Sequence, residues 1–190
     1  TAELADKGVA PTETEGKYTW HSDAPAAKVM AIFAGEDKGF VDATSPAAND
    51  GDEGLPPVVG LVLDKTSFYA EQGGQAADKG AVLGTAGDGA SARFDVENCL
   101  VYAGFVLHIG TVAGGTLRVG DEVRTAVDYT QRDLVAPNHT CTHLLNFGLR
   151  KVLGNDVDQK GSEVNGDKLR FDFNASKKLS DKQIAEVERI

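Results

Sequence analysis

Long apolar runs, cysteines and nucleotide-binding signatures are scarce in this sequence of 190 residues. No stretch approaches the ~18 apolar residues that a membrane-spanning helix needs, so we expect no membrane partner. The two cysteines, Cys99 and Cys141, show no CxxC spacing, which disfavours a disulfide framework and suits a reducing compartment. The sequence also has no P-loop, no Rossmann fingerprint and no GxSxG elbow, so its own residues predict no ATP chemistry.

Charge is unevenly spread along the chain. Residues 1–130 contain 9 Lys/Arg and 20 Asp/Glu, a net charge of -11, whereas residues 131–190 contain 10 and 9, a net charge of +1. Affinity for phosphates comes largely from lysine and arginine. A nucleic acid that binds this chain is therefore expected to meet the second segment, and the acidic segment is interpreted as a solvated surface.

Turns and short strands dominate the first two thirds of the sequence. The 22 glycines, against one tryptophan and one methionine, favour a β-rich fold over a helical bundle. Short runs of β-branched and aromatic residues predict an antiparallel barrel or sandwich, with a turn at Gly87–Gly89. The predicted strands are 28–33, 58–63, 92–96, 100–107 and 122–129. A loop is predicted over 41–57.

The last third changes to a helical pattern. Apolar residues from Cys141 to Leu153 recur at helical spacing, with Asn138 as the expected N-cap and Gly154 just beyond the end. This apolar stripe centres near Cys141 and Val152. A hairpin is predicted from strands 159–164 and 168–173 around Asn165-Gly166, followed by a helix that opens on a Ser180–Gln183 capping box. The expected fold class is α+β.

His139 and His143 form the sharpest chemical feature. Four residues apart on a helix, they lie about 40° from each other and can face one metal ion. They share their face with Asn146 and Arg150, opposite the predicted apolar stripe. Two exposed histidines, or a polar face that lines a cleft, are the alternatives. Cys141 projects about 180° away and cannot complete the same site.

Four segments, in order, resemble alanyl-tRNA synthetases. They read LDKTSFYAEQGGQAADKG at 63–80, GFVLHIG at 104–110, NHTCTHLLNFGLRKVLG at 138–154 and DQKGSEVNGDKLRFDF at 158–173. The resemblance covers about residues 25–190, and the segment NHTCTHLLNFGLR is closer to the eukaryotic cytoplasmic type. It implies a junction after an aminoacylation domain at 1–23, an antiparallel β-barrel domain at 24–130, and the start of an α/β editing domain at 131–190.

The same resemblance implies a function and a set of site residues. The family ligates alanine to tRNA(Ala) with ATP and magnesium in a separate aminoacylation domain, and its editing domain hydrolyses seryl- and glycyl-tRNA(Ala). His139 and His143 match two zinc ligands, and the family's other two ligands, a cysteine and a histidine, are expected further downstream. The remaining assignments are a catalytic Gln159 and tRNA or substrate contacts at Gln75, Lys160, Gly161 and Ser162. The expected location is cytoplasmic, with a mitochondrial or plastid form open.

Several alternatives stay open at this point. Zinc in the family either activates water or positions the substrate, and the residues do not choose between these roles. The chain is interpreted as half of an editing deacylase, as a non-catalytic tRNA-docking or interdomain module, or as part of a stand-alone editing protein. The sequence does not predict an oligomeric state.

Overall fold

The structure is a computed structural model that describes residues 1–19, 21, 26–46, 57–85 and 91–190. The chain divides into two compact units. One, the β-sheet unit, comprises residues 1–72 and 77–129, and the other, the helix–hairpin unit, comprises residues 73–76 and 130–190. The predicted turn at Gly87–Gly89, the larger part of the predicted 41–57 loop and the predicted boundary at residue 24 lie outside the described residues.

The β-sheet unit begins with a short segment that packs on the sheet. Helix α1 (Ala2–Asp6) buries Leu4, which joins a small apolar cluster with Val62 and Phe105. The Thr12 hydroxyl donates to the Leu63 carbonyl at 2.9 Å and accepts from the Val106 amide at 3.1 Å. A short 3₁₀ helix follows at Glu15–Tyr18. The segment before the first strand is therefore held by the sheet.

Nine strands form the rest of this unit within the described residues. Seven of them make one antiparallel sheet in the order β2-β1-β4-β7-β6-β5-β9, and β3 pairs with β8. Their bounds are β1 Ala27–Phe33, β2 Phe40–Val41, β3 Ala43–Thr44, β4 Val58–Leu63, β5 Gly80–Thr85, β6 Ser91–Tyr102, β7 Phe105–Gly114, β8 Leu117–Arg118 and β9 Glu122–Val127.

The seven-stranded sheet is not the closed barrel that was predicted. The pairing returns from β9 to β1 only at Ala27 with Val123 and Lys28 with Glu122. Side chains of seven strands, with Phe68 and Ala70 between β4 and β5, bury one apolar core that includes Ile32, Leu61 and Phe94. The sheet is a strongly curved antiparallel layer rather than an evenly paired barrel, and the α+β class is confirmed.

The predicted strand 100–107 is wrong, because a tight turn divides it. Ala103 and Gly104 both have positive φ, at 50° and 86°, and join β6 to β7 as a two-residue hairpin turn. Sequence rules anticipate such turns at Asn-Gly or Asp-Gly, so an alanine in the first position hid this one. Strand β5, which pairs with both β6 and β9, was also not predicted.

The helix–hairpin unit contains most of the long helix α2 (Tyr129–Leu153), strands β10 (Gln159–Val164) and β11 (Leu169–Phe173), and helix α3 (Asp181–Arg189). Its apolar cluster joins α2, β11 and α3 through Leu149, Phe171 and Val187. The capping box is confirmed, since the Ser180 side chain accepts from the Gln183 amide and the Gln183 side chain accepts from the Ser180 amide. None of the helices in the described part is long and apolar enough to cross a membrane.

The predicted N-cap at Asn138 is wrong. Helix α2 begins nine residues earlier, at Tyr129, and continues through Pro137. The Asn138 side chain instead donates to the carbonyl of Asn165 at 2.9 Å, which ties α2 to the hairpin loop. Gly154 follows the helix with φ of 104°, and its amide donates to the Arg150 carbonyl, as its predicted position just past the helix end requires.

Candidate active site in the helix–hairpin unit

Helix α2 buries part of its polar side. The predicted apolar stripe centred on Cys141 is wrong, because Cys141 is exposed and Leu144 is 62% exposed. Thr142, which lies about 100° further round the helix, is buried together with Leu149. The helix is therefore rotated from the orientation that apolar periodicity predicts, and the rotation turns His139 toward the protein.

The two histidines are neighbours on the helix surface, where His139 turns toward the protein and His143 is exposed. Their ring centroids are 5.1 Å apart, with the ring planes at 52°. His139 is half-buried, and its Nδ1 atom is buried without a hydrogen-bond partner among the described residues. Asn146 shares this condition, since its Oδ1 atom is also buried and unpartnered there. Burying such an atom without a hydrogen bond costs about 1–3 kcal/mol. Buried groups left unpaired in this way often belong to sites that bind an ion or a ligand.

The pair fits a zinc ion. Two imidazoles on one tetrahedral zinc, with Zn–N bonds of about 2.0–2.1 Å, place their ring centroids about 5 Å apart. The 5.1 Å separation matches that value. The described residues contain no group of three or more His, Cys, Asp or Glu side chains that could hold a metal. His139 and His143 therefore offer two of the three or four ligands that a zinc site in a protein needs.

Two hydrogen bonds fix the hairpin alongside α2. The Asn138 side chain donates to the Asn165 carbonyl. About three turns further along α2, the Arg150 guanidinium Nε donates to the Val157 carbonyl at 3.0 Å. Strand β10 therefore runs antiparallel to the helix. Gln159 lies exposed at the Arg150 end, whereas His139 lies at the Asn138 end. The catalytic role of Gln159 stays a prediction.

A β-bulge marks the predicted pocket residues on β10. Gln159 pairs with Phe173 and Gly161 with Asp172, so Lys160 is the extra residue between them. Bulges of this kind redirect side chains and are frequent beside active sites. Lys160 is exposed, with its ammonium 3.8 Å from the Asp158 carboxylate. A Cβ atom on Gly161 would lie 3.1 Å from the Asp172 carboxylate, a tight contact that this flexible side chain can relieve by a small shift.

The glycine-rich segment Gly73–Ala76 pairs with β10, from which it is about 85 residues distant in sequence. The Val164 amide donates to the Gly74 carbonyl at 2.8 Å, and the Ala76 amide donates to the Val164 carbonyl at 2.9 Å. The Ser162 hydroxyl donates to the Gly73 carbonyl at 2.9 Å. The sequence predicted that this segment belongs to the barrel domain. In the structure it belongs to the helix–hairpin unit instead.

The structure thus brings two predicted contacts together. Gln75, which forms a parallel bridge with Val164, is only 7% exposed, and Ser162 holds the neighbouring Gly73. Gly74 has φ of 84°, and a Cβ atom there would lie 2.1 Å from the Ser162 carbonyl oxygen. Gly74 is therefore required for close packing on β10. In the sequence, Gly73-Gly74 permits positive φ or a close backbone approach, but only the structure shows that β10 is the partner.

Comparison with known proteins identifies the family. The model of the family described as "tRNA synthetases class II (A)" matches residues 3–131. The alanine–tRNA ligase of Candida albicans is 42% identical over 185 residues, which cover 97% of this chain and 18% of that protein. The mitochondrial alanine–tRNA ligase of Saccharomyces cerevisiae is 42% identical over 190 residues, 100% of this chain and 18% of its own length.

A third relative is similar to the same extent. The cytoplasmic alanine–tRNA ligase of Bombyx mori is 42% identical over 196 residues, 97% of this chain and 19% of that protein. The chain thus spans about a fifth of the length of these curated relatives. The similarity covers nearly every residue of both units, including the histidine pair and the hairpin. The chain belongs to the alanyl-tRNA synthetase family.

Proposed function

We propose that this chain carries the beginning of a proofreading centre that hydrolyses seryl- and glycyl-tRNA(Ala) within an enzyme that ligates alanine to tRNA(Ala). The observation that carries the proposal is the pair of neighbouring imidazoles on α2, 5.1 Å apart, of which His143 is exposed and His139 is half-buried with its Nδ1 atom unpartnered among the described residues. Buried polar atoms are nearly always hydrogen-bonded in folded proteins, so a bound metal or substrate would account for this nitrogen.

His139 and His143 would hold the zinc ion, together with ligands from elsewhere in the enzyme. Bound there, zinc supplies either a polarised carbonyl and an activated water or an anchor for the amino group of the substrate. In this proposal Gln159 orients the attacking water, and Lys160, Gly161 and Ser162 border the aminoacyl group. The segment Gly73–Ala76, in which Gln75 is held against β10 and only 7% exposed, would position the end of the tRNA.

Chemistry explains why such an enzyme needs a second site. A pocket shaped for alanine excludes the added hydroxyl of serine only weakly, and it cannot exclude the smaller glycine by size. Hydrolysis of the wrong ester at a separate site supplies the missing discrimination. ATP and magnesium belong to the aminoacylation reaction and would act in another domain. A cytoplasmic location is proposed, and the relatives include both cytoplasmic and mitochondrial enzymes.

Substitution of either histidine by alanine tests the proposal. In a full-length alanine–tRNA ligase that carries this sequence, we expect His139→Ala and His143→Ala to lose bound zinc. We also expect hydrolysis of seryl-tRNA(Ala) to fall by more than about 100-fold, since loss even of outer-shell partners of a metal costs 10–100-fold. Zinc per chain is measured by mass spectrometry, and serine release is followed from labelled seryl-tRNA(Ala).

The matched control is Cys141→Ser, because Cys141 lies between the histidines in sequence but is exposed. This variant should retain both zinc and hydrolysis. Histidine variants that keep the parental zinc content and the parental hydrolysis rate would contradict the assignment of the pair.

A non-catalytic docking module is the second candidate. Two results together would support the module in place of the editing centre. The full-length enzyme would bind zinc that both histidine variants lose, and the same parent enzyme would leave seryl-tRNA(Ala) intact.

A further inference from the structure

A cavity opens in the helix–hairpin unit away from the histidine pair. It has a volume of about 420 Å³ and lies between the end of α2, the residues before β10 and the segment that joins β11 to α3. Its apolar wall consists of Leu153, Val157 and Leu179, and its polar wall includes Lys177 and Lys178. The cavity is therefore amphipathic, with two cations on one side.

The cavity wall is held by the Asn174 side chain. Its Oδ1 atom accepts from the Asp158 amide at 2.6 Å, and its Nδ2 group donates to the Asp156 carbonyl at 3.0 Å. These bonds connect the residues before β10 to the residues after β11. The backbone that presents Lys177 and Lys178 is thus fixed at its start by Asn174 and at its end by the capping box of α3.

Lys177, Lys178 and Lys182, here called the lysine cluster, differ from most other cations of this unit. Lys168 and Arg170 bind Glu163 at 3.2 and 2.8 Å, and Arg150 and Lys160 approach Asp158. The three side chains of the lysine cluster are exposed, and no carboxylate in the described part of the chain lies within salt-bridge distance of them.

The balance of charge around the cavity is positive. Residues 174–183 contain these three lysines and one acidic residue, Asp181, and Asp156 is the acidic residue that lines the cavity. The amide of Gln183 at the start of α3 is already bonded to Ser180. An anion would therefore be held mainly by ammonium groups, which bind phosphate as point charges and release counterions.

We propose that the lysine cluster and its cavity bind the phosphodiester backbone of RNA. The inference rests on the proposed function, because tRNA is the polyanion that this enzyme would handle. The unpaired lysines supply electrostatic attraction without base specificity, and the apolar wall accepts a sugar or base edge beside the bound phosphates. The site positions tRNA and takes no part in hydrolysis.

Salt-dependent binding tests this inference. The full-length ligase carrying this sequence is titrated with tRNA(Ala) by filter binding at several KCl concentrations, and log K is plotted against log salt. Lys177→Ala/Lys178→Ala should weaken binding several-fold at low salt and reduce the slope by about 2, since each lost phosphate contact reduces it by about 1. Lys177→Arg/Lys178→Arg should restore the parental slope.

Lys7→Ala/Lys168→Ala is the matched control, because it removes the same charge from two exposed lysines that are bonded to carboxylates. The inference is overturned if the parent binds tRNA and the Lys177/Lys178 alanine variant shows the same salt slope as this control. That result leaves the proposed function standing. Absence of salt-dependent tRNA(Ala) binding by the parent overturns both.

Discussion

Substitution of Gly74 by alanine should release the glycine-rich segment from β10. Alanine in the left-handed conformation costs roughly 1–2 kcal/mol, and its Cβ atom would lie 2.1 Å from the backbone oxygen of Ser162, which cannot move without bending β10. Three hydrogen bonds, each contributing about 1 kcal/mol, hold the segment. We therefore expect segment opening, detected by an increase of about 100-fold in hydrogen exchange at the amides of Ala76 and Val164.

Gly73→Ala provides the matched control. Gly73 also has positive φ, at 62°, but no atom lies within 4 Å of the position that its Cβ would take. Alanine there should cost only the backbone term of roughly 1–2 kcal/mol, an increase in exchange of roughly 5- to 30-fold. Equal effects of the two substitutions would show that packing against Ser162 does not hold the segment.

Acid should destabilise the β-sheet unit through His108. This side chain is fully buried, where its Nδ1 atom donates to the Leu61 carbonyl at 3.0 Å and its Nε2 atom accepts from the Thr66 hydroxyl at 2.7 Å. The Thr66 oxygen in turn accepts from the Phe68 amide at 3.1 Å. This network satisfies a neutral imidazole. Burial lowers the pKa of His108 to about 4, although the bond to Leu61 opposes the shift.

The direction of the pH effect follows from this lowered pKa. In the unfolded chain the pKa of a histidine is about 6.5, so between pH 6.5 and 4 the unfolded state binds more protons than the folded state. The free energy of unfolding should therefore be greatest above pH 6.5 and decrease toward pH 4. A difference of about 2.5 pKa units corresponds to about 3 kcal/mol at and below pH 4.

Urea unfolding between pH 7.5 and 4 measures this effect. Amide signals of β4 and β7 report the β-sheet unit by itself, and His108→Gln removes the titrating group. The variant should lose most of the decrease in stability between pH 6.5 and 4, even though it is less stable at neutral pH. The same acid dependence in parent and variant would mean that other groups cause it.

Local signals in the sequence predicted local structure well. The Ser180 capping box and the hairpin were found because each depends on residues a few positions apart. In the hairpin, Asn165 caps its own loop by accepting from the amides of Asp167 and Lys168, which is why the loop extends to Lys168. The helical spacing of His139 and His143 is local in the same sense, and their rings meet as that spacing predicts.

Features that depend on distant partners were not predictable. The early start of α2 was hidden because Pro137 and Asn138 resemble a helix beginning, whereas Asn138 bonds to the hairpin loop. The rotation of α2 was hidden because apolar periodicity assumes that the apolar side is the buried one. Gly74 pairs with Val164, and no periodic pattern connects residues so far apart. The proposed domain limits and the roles of Gln159, Lys160 and Gly161 stay predictions.

The most direct test of a proofreading centre is the selectivity of ester hydrolysis. Seryl-tRNA(Ala) and alanyl-tRNA(Ala), each labelled in the amino acid, are incubated with a full-length alanine–tRNA ligase that carries this sequence, in the absence of ATP. We predict that the seryl ester is hydrolysed well above its rate in buffer while the alanyl ester is spared. Hydrolysis of the seryl ester at the buffer rate, by an enzyme that charges alanine normally, would contradict the account.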